Sequence, residues 1–211
     1  MFSKISYFIR STLLPNRLFL INDNKTAKSL YLTFDDGPVA SITEDLLDLL
    51  KKNNAFATFF VLGSRVSQSP ELLKKIHQQK HTLANHSYTH PNFTLLSSEA
   101  RIEQITKTNQ LIKDLTHQHC QFFRAPQGRW SFKLLIELFR LKMTAVHWSR
   151  DSMDYLKEPA ETIINRFIEQ PVSSGDIILF HDDDTRCIKA LDTLIPHWQS
   201  QGFTLKALEH K

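Results

Sequence analysis

Apolar residues follow two alternating spacings along the chain. Compact or alternating apolar runs occur at residues 29–34, 55–62, 81–85, 121–124, 144–148, 176–180 and 203–205. Their length, with turn residues such as Asp-Asp-Gly-Pro behind the first, predicts seven strands. Between them, apolar positions recur at helical spacing over residues 41–52, 70–79, 97–117, 131–141, 160–169 and 185–200. Ile42, Leu46, Leu49 and Leu50 form one stripe, and Ile102, Ile105, Leu111, Ile112 and Leu115 another. Ser41 or Thr43 offers a cap for the first helix, Pro70 suits a first turn, and Ser97 with Glu99 suits the start of the long helix.

Strand–helix alternation predicts an α/β fold with a mainly parallel sheet. About seven parallel strands point to a distorted (β/α) barrel in a single domain spanning 29–211. In such barrels chemistry sits on the loops after the strands. Residues 1–28 fall outside the alternation and form a basic, apolar segment. It is too interrupted by charge to span a bilayer and lacks the apolar run and cleavage site of a signal peptide. It is expected to pack on the domain, or to make peripheral membrane contact through residues 1–24.

With 211 residues, 41% of them apolar, the chain is long enough for one substantial core. Five basic residues against Asp23 make residues 1–28 net +4, which equals the net charge of the whole chain. The remainder is therefore balanced, and a nucleic-acid-binding face is not expected. Five glycines, with no Gly-x-Gly-x-x-Gly or Walker pattern, argue against a phosphate loop. Cys120 and Cys187 form no framework and are expected as small buried hydrophobes. The low cysteine count and missing export signal lean toward the cytoplasm rather than export.

The polar residues that follow successive strands converge on one rim. They are Asp35-Asp36, His86 with His90, Arg124, Asp151 and His181. Asp36, His86 and His90 make a carboxylate–imidazole–imidazole set that suits a divalent metal and leaves a position open for water. Pro91 disfavours a helix at His90, so a tight loop is expected there. Asp35, pointing away from Asp36 along an extended strand, is placed to take a proton. Asp182, Asp183 and Asp184 are expected to form a solvated loop and helix cap, and His147 and Trp148 to pack at the rim.

These residues resemble the NodB-type polysaccharide deacetylases, carbohydrate esterase family 4. Thr33-Phe34-Asp35-Asp36-Gly37-Pro38 is similar to the first motif of that family and His86-Ser87-Tyr88-Thr89-His90 to the second. Arg124-Ala125-Pro126-Gln127-Gly128, Asp151-Ser152-Met153-Asp154-Tyr155 and Ile178-Leu179-Phe180-His181-Asp182 resemble the remaining three. The resemblance implies a zinc- or cobalt-dependent hydrolase that removes N-acetyl groups from an amino-sugar glycan, whether polysaccharide, oligosaccharide or lipid-linked. It implies that Asp35 is the base, oriented by Arg124, and that Asp36, His86 and His90 hold the metal. It further implies that His181 is the acid, kept charged by Asp151. The Gln127 N–H, in the loop that carries Pro126, would face the oxyanion, and Leu179 the acetyl methyl. Gln127 stands where the family usually has an aromatic residue, and Tyr155 where it commonly has Trp, so the groove walls differ. O-deacetylation or deformylation on the same scaffold, and a non-catalytic carbohydrate-binding role, stay open.

Overall fold

A computed structural model describes residues 19–20 and 28–209. The strands are β1 (Phe19–Leu20), β2 (Ser29–Asp35), β3 (Thr58–Val61), β4 (Thr82–Asn85), β5 (Phe122–Phe123), β6 (Thr144–Val146), β7 (Arg150–Asp151), β8 (Ile177–His181) and β9 (Thr204–Lys206). The helices are α1 (Ile42–Lys52), α2 (Gly63–Gln68), α3 (Pro70–Gln78), α4 (Ser98–Thr116), α5 (Phe132–Arg140), α6 (Ala160–Glu169) and α7 (Thr185–Ser200). All seven expected strands are present, and the two-residue strands β1 and β7 are additions. The rest of the N-terminal segment, residues 1–18 and 21–27, lies outside the described residues, so neither reading of it is tested.

Every strand pairing is parallel, in the order β1-β6-β5-β4-β3-β2-β8-β7. The sheet curls into a distorted barrel, and among the described residues no ladder joins β1 to β7. β9 pairs with Ser29–Tyr31 of β2, below the stretch of β2 that β3 uses.

Period-two alternation sorts the side chains. Leu30, Leu32 and Phe34 of β2, Phe59 and Val61 of β3, and Ile178 and Phe180 of β8 face outward into a cluster with α1, α6 and α7. Phe123 and Ala145 pack outward against Leu134, Leu135 and Leu138 of α5. The opposite parity, Phe60, Ala84, Phe122, Val146 and Ile177, fills the lumen, and Leu208 from the C-terminal stretch packs among them. Its N–H donates to Thr58 Oγ1 at 2.9 Å, and its carbonyl accepts from Thr82 Oγ1 at 2.9 Å. Two or four residues beyond Ala84, Phe122, Val146 and Ile177 on the same parity come His86, Arg124, Trp148 and His181, and Asp35 stands four beyond Tyr31, which packs against this cluster. The alternation that builds the core therefore also delivers the polar residues to one mouth.

Helix α2 was not foreseen. Its sequence Gly-Ser-Arg-Val-Ser-Gln lacks an apolar stripe, and only Gly63 and Val66 are buried. The first helix starts without a serine cap, because Ser41 lies at φ 67° with no side-chain bond to the helix. Thr43 instead accepts from the Val39 N–H at 2.8 Å, bracing the loop before the helix. Both cysteines are free. Cys187 is buried, and Cys120 is only half-buried, contrary to expectation.

Candidate active site

Asp35 ends β2 facing the lumen. Arg124, fully buried two residues past Phe122, donates from Nη1 to Asp35 Oδ1 at 2.7 Å and to Thr33 Oγ1 at 2.8 Å. Its guanidinium lies 4.0 Å from the centre of the Phe60 ring. Burial pushes the Asp35 pKa upward and outweighs the lowering by Arg124 and His181. Asp35 is thus a better proton acceptor than an exposed aspartate, and not simply a carboxylate held ionised by its arginine.

Asp36 leaves the strand with φ 76°. Extended alternation therefore stops at Asp35, and the two carboxylates do not point apart as expected. Asp35 Oδ2 and Asp36 Oδ1 each lie 3.6 Å from His86 Nε2, and Asp36 Oδ1 is also 3.6 Å from His90 Nε2. One ligand atom each from Asp36, His86 and His90 fall within 4.8 Å of one another.

The fit to a cation rests on two observations. Asp36 Oδ1 is buried with no hydrogen-bond partner. His86 Nδ1 lies 2.9 Å from the Arg124 carbonyl, to which it donates, so Nε2 keeps its lone pair toward Asp36. Burial lowers the His86 pKa to about 3, so the ring is neutral, as a metal ligand must be.

The loop that carries both histidines is held from below. Asn85 accepts from the Ser87 N–H at 2.7 Å and donates to α4 at Ile105 O and Asn109 Oδ1. Gln104 of α4 accepts from the Tyr88 and Thr89 amides at 3.0 and 2.9 Å. Ser87 Oγ accepts from the His90 N–H at 3.0 Å, and His90 itself sits at φ 59°, in a loop as expected. Gly63 and Ser64 at the start of α2 donate to the Ser87 and Tyr88 carbonyls at 3.0 and 2.9 Å. A Cβ at Gly63 would meet Thr108 and Tyr88 at 2.4 Å, so only glycine allows this approach. Asn85 and Gln104 went unnoticed in the sequence, where one sits in a strand and the other on a polar helix face.

His181 ends β8 in register with Asp35 of β2. The carboxylate on its ring is Asp154, not Asp151, at 2.7 Å from Nδ1. The reason is local. Asp151 Oδ1 turns back to accept the Met153 N–H at 2.9 Å, and the turn Asp154–Leu156 folds Asp154 over the end of β8. Burial would lower the His181 pKa, but the hydrogen bond and charge of Asp154, with Asp35 and Asp36 nearby, raise it to about 9.

The other expected positions spread around the mouth. Leu179 is buried beside the lumen, and Pro126 is buried in the turn that follows Arg124. Gln127 is exposed at φ 59°, and Tyr155 stands half out in solvent with its ring edge-on to His181 at 5.8 Å between centres. The rings of His147 and Trp148 lie against each other, tilted by 40° with 4.2 Å between centres, and a Cβ at Gly128 would strike Trp148 at 2.6 Å. Asp184 caps α7 through the Arg186 N–H, as expected. Asp182 departs from the solvated-loop reading. It is fully buried, its N–H donates to the Asp35 carbonyl at 3.2 Å and its Oδ2 accepts from Thr43 Oγ1 at 2.7 Å.

Comparison with known proteins agrees with this geometry. A family model described as polysaccharide deacetylase matches residues 22–146. A chitooligosaccharide deacetylase of Bradyrhizobium sp. (strain ANU 289) is 31% identical over 88% of this chain and 91% of its own. The peptidoglycan-N-acetylglucosamine deacetylase PgdA of Listeria monocytogenes is 35% identical over 88% of this chain. The present chain spans only 39% of that longer relative. Among solved structures, a carbohydrate esterase family 4 pseudoenzyme from Bacillus anthracis superposes with a TM-score of 0.84 at 27% identity, covering 90% of this chain and 67% of its own.

Proposed function

The chain belongs to the polysaccharide deacetylase family, and from that premise we propose that it is a metal-dependent hydrolase removing N-acetyl groups from an amino-sugar-containing glycan. The observation that carries this reading is a proton acceptor and a proton donor, Asp35 and His181, in register on adjacent strands beside the Asp36–His86–His90 triad.

A divalent cation held by Asp36, His86 and His90, with zinc or cobalt suited to one oxygen and two nitrogen ligands, would polarise the acetyl carbonyl and acidify water. Asp35 then takes the proton of the attacking water. Arg124 fixes the Asp35 carboxyl at Oδ1, which leaves Oδ2 on the side of His86. His181, protonated through Asp154, gives its proton to the departing sugar nitrogen, and the reaction releases acetate and a free amine. Leu179 offers an apolar wall for the acetyl methyl, while Tyr155 and Gln127 line the open side where the sugar enters. The names of the relatives, one acting on chitooligosaccharides and one on peptidoglycan N-acetylglucosamine, support a substrate with N-acetylglucosamine units.

The likeness to a pseudoenzyme favours one second reading, a glycan-binding protein without turnover. Asp35, Arg124 and His181 all stand in working geometry, which supports catalysis over binding alone. The test is acetate release from N-acetylglucosamine oligomers and O-acetylated glycans by zinc- or cobalt-loaded protein. Release from the N-acetyl series, lost in Asp35→Asn, is the expected result. Release from O-acetyl substrates alone would turn the reading to an esterase. Oligomer binding without acetate from any substrate would favour the non-catalytic role.

A further inference from the structure

Helix α5 buries Leu134, Leu135 and Leu138 against the sheet, yet its outer face is also apolar. Phe132 is 73% exposed, Phe139 63% and Ile136 39%. Spaced i, i+4 and i+7, they fall within an arc of about 60° and form one stripe along the helix. Lys133 and Arg140, both exposed, lie together along one edge of that stripe, and exposed Lys142 follows the helix. The one acidic residue of the helix, Glu137, is turned inward and consumed. It accepts from Arg101 Nε at 2.7 Å and Nη2 at 2.5 Å, and from Ser98 Oγ at 2.7 Å. The outer face therefore presents aromatic and aliphatic carbon with cations and no anion.

We propose that the outer face of α5 is a docking surface for an anionic lipid membrane. Large exposed phenylalanines need an apolar partner, and the cation row needs an anionic one. A bilayer interface with acidic headgroups supplies both, with apolar side chains entering the acyl boundary and Lys and Arg reaching the headgroups. A second copy of this chain would set two cation rows against one another. Neutral glycan would leave the cations unmatched.

The test is sedimentation of the full chain with vesicles of phosphatidylcholine alone and with about one-third phosphatidylglycerol. Wild type should bind the anionic vesicles only, with affinity falling as salt rises. The double variants F132S/F139S and K133E/R140E change exposed positions, so their melting temperatures should match wild type while binding falls at least about tenfold. The proposal fails if wild type ignores anionic vesicles, or binds neutral ones equally well. It also fails if F132S/F139S binds unchanged, which would place attachment elsewhere on the chain. A concentration-dependent dimer that F132S/F139S abolishes would identify a second copy as the occupant and overturn the lipid assignment.

Discussion

Asp154 holds His181 at two points, accepting from the ring Nδ1 at 2.7 Å with one oxygen and from the backbone N–H at 2.8 Å with the other. The two bonds fix both the position of the ring and its charge. A proton donor works only while protonated, so acetate release should persist until about pH 9, the raised pKa of His181, and fall above it. Asp154→Asn should move that alkaline limb toward the ordinary histidine value of about 6.5. At about pH 8 the protonated fraction of the ring, and with it the rate, should drop about 30-fold. Asp151→Asn, whose side-chain oxygen still accepts from the Met153 N–H and makes no bond to the ring, should leave the limb in place. A pH–rate profile of the two variants distinguishes them, and an unmoved limb in Asp154→Asn would remove Asp154 from this role.

The orphaned Asp36 oxygen predicts strong metal dependence. Dialysis against a chelator should abolish acetate release, and zinc or cobalt should restore it. His90→Ala removes one of three ligands and should weaken retention of the cation by more than about 100-fold, measured as bound metal per chain. Tight retention by His90→Ala would mean that the cation sits elsewhere.

Arg124 and Asp35 form a pair with neither member exposed. Arg124→Met keeps much of the packing against Phe60 but strands a buried carboxyl. Stability should fall by about 3–5 kcal/mol in urea titrations. A loss below about 1 kcal/mol would show that Asp35 is neutral or hydrated without its partner.

Asp182 predicts a stability change with the opposite sign to the usual aspartate. Burial, assisted by the negative charge of Asp36, raises its pKa from 3.8 to about 7 despite the Thr43 hydrogen bond and the Arg65 charge. Protonation therefore favours the folded state. The contribution is complete below about pH 4 and is lost as pH rises through about 7. Asp182→Asn should keep the Thr43 bond and flatten the decline between about pH 4 and 7, by an amount on the order of 2–4 kcal/mol. Parallel declines in the two proteins would rule this out.

The barrel was legible because each lumen strand advertises its parity, and because apolar stripes mark α1, α6 and α7. The short α2 was not, since what fixes it is the His86–His90 loop bound to its first amides rather than an apolar face. The site was legible wherever a residue sits at a strand end, as Asp35, His86, Arg124 and His181 do. It failed where backbone turns redirect side chains. Asp36 swings back through a positive φ, and a single helical turn exchanges Asp151 for Asp154. Asp182 was misjudged because three consecutive aspartates suggest water, whereas the first still obeys the geometry of β8 and falls beneath the Asp35 turn.

The shared parity of lumen filling and polar mouth has a consequence for how this protein can change. Inserting or deleting a single residue inside β2, β4, β5 or β8 would exchange the inner and outer sets, sending Asp35 or Arg124 into the oily layer and Phe34 or Phe123 into the mouth. Such a lesion damages architecture and chemistry together. Length variation is therefore tolerable only in the connections beyond the strand ends, where Gln127 and Tyr155 stand, so substrate choice can drift there while the reacting groups stay in step.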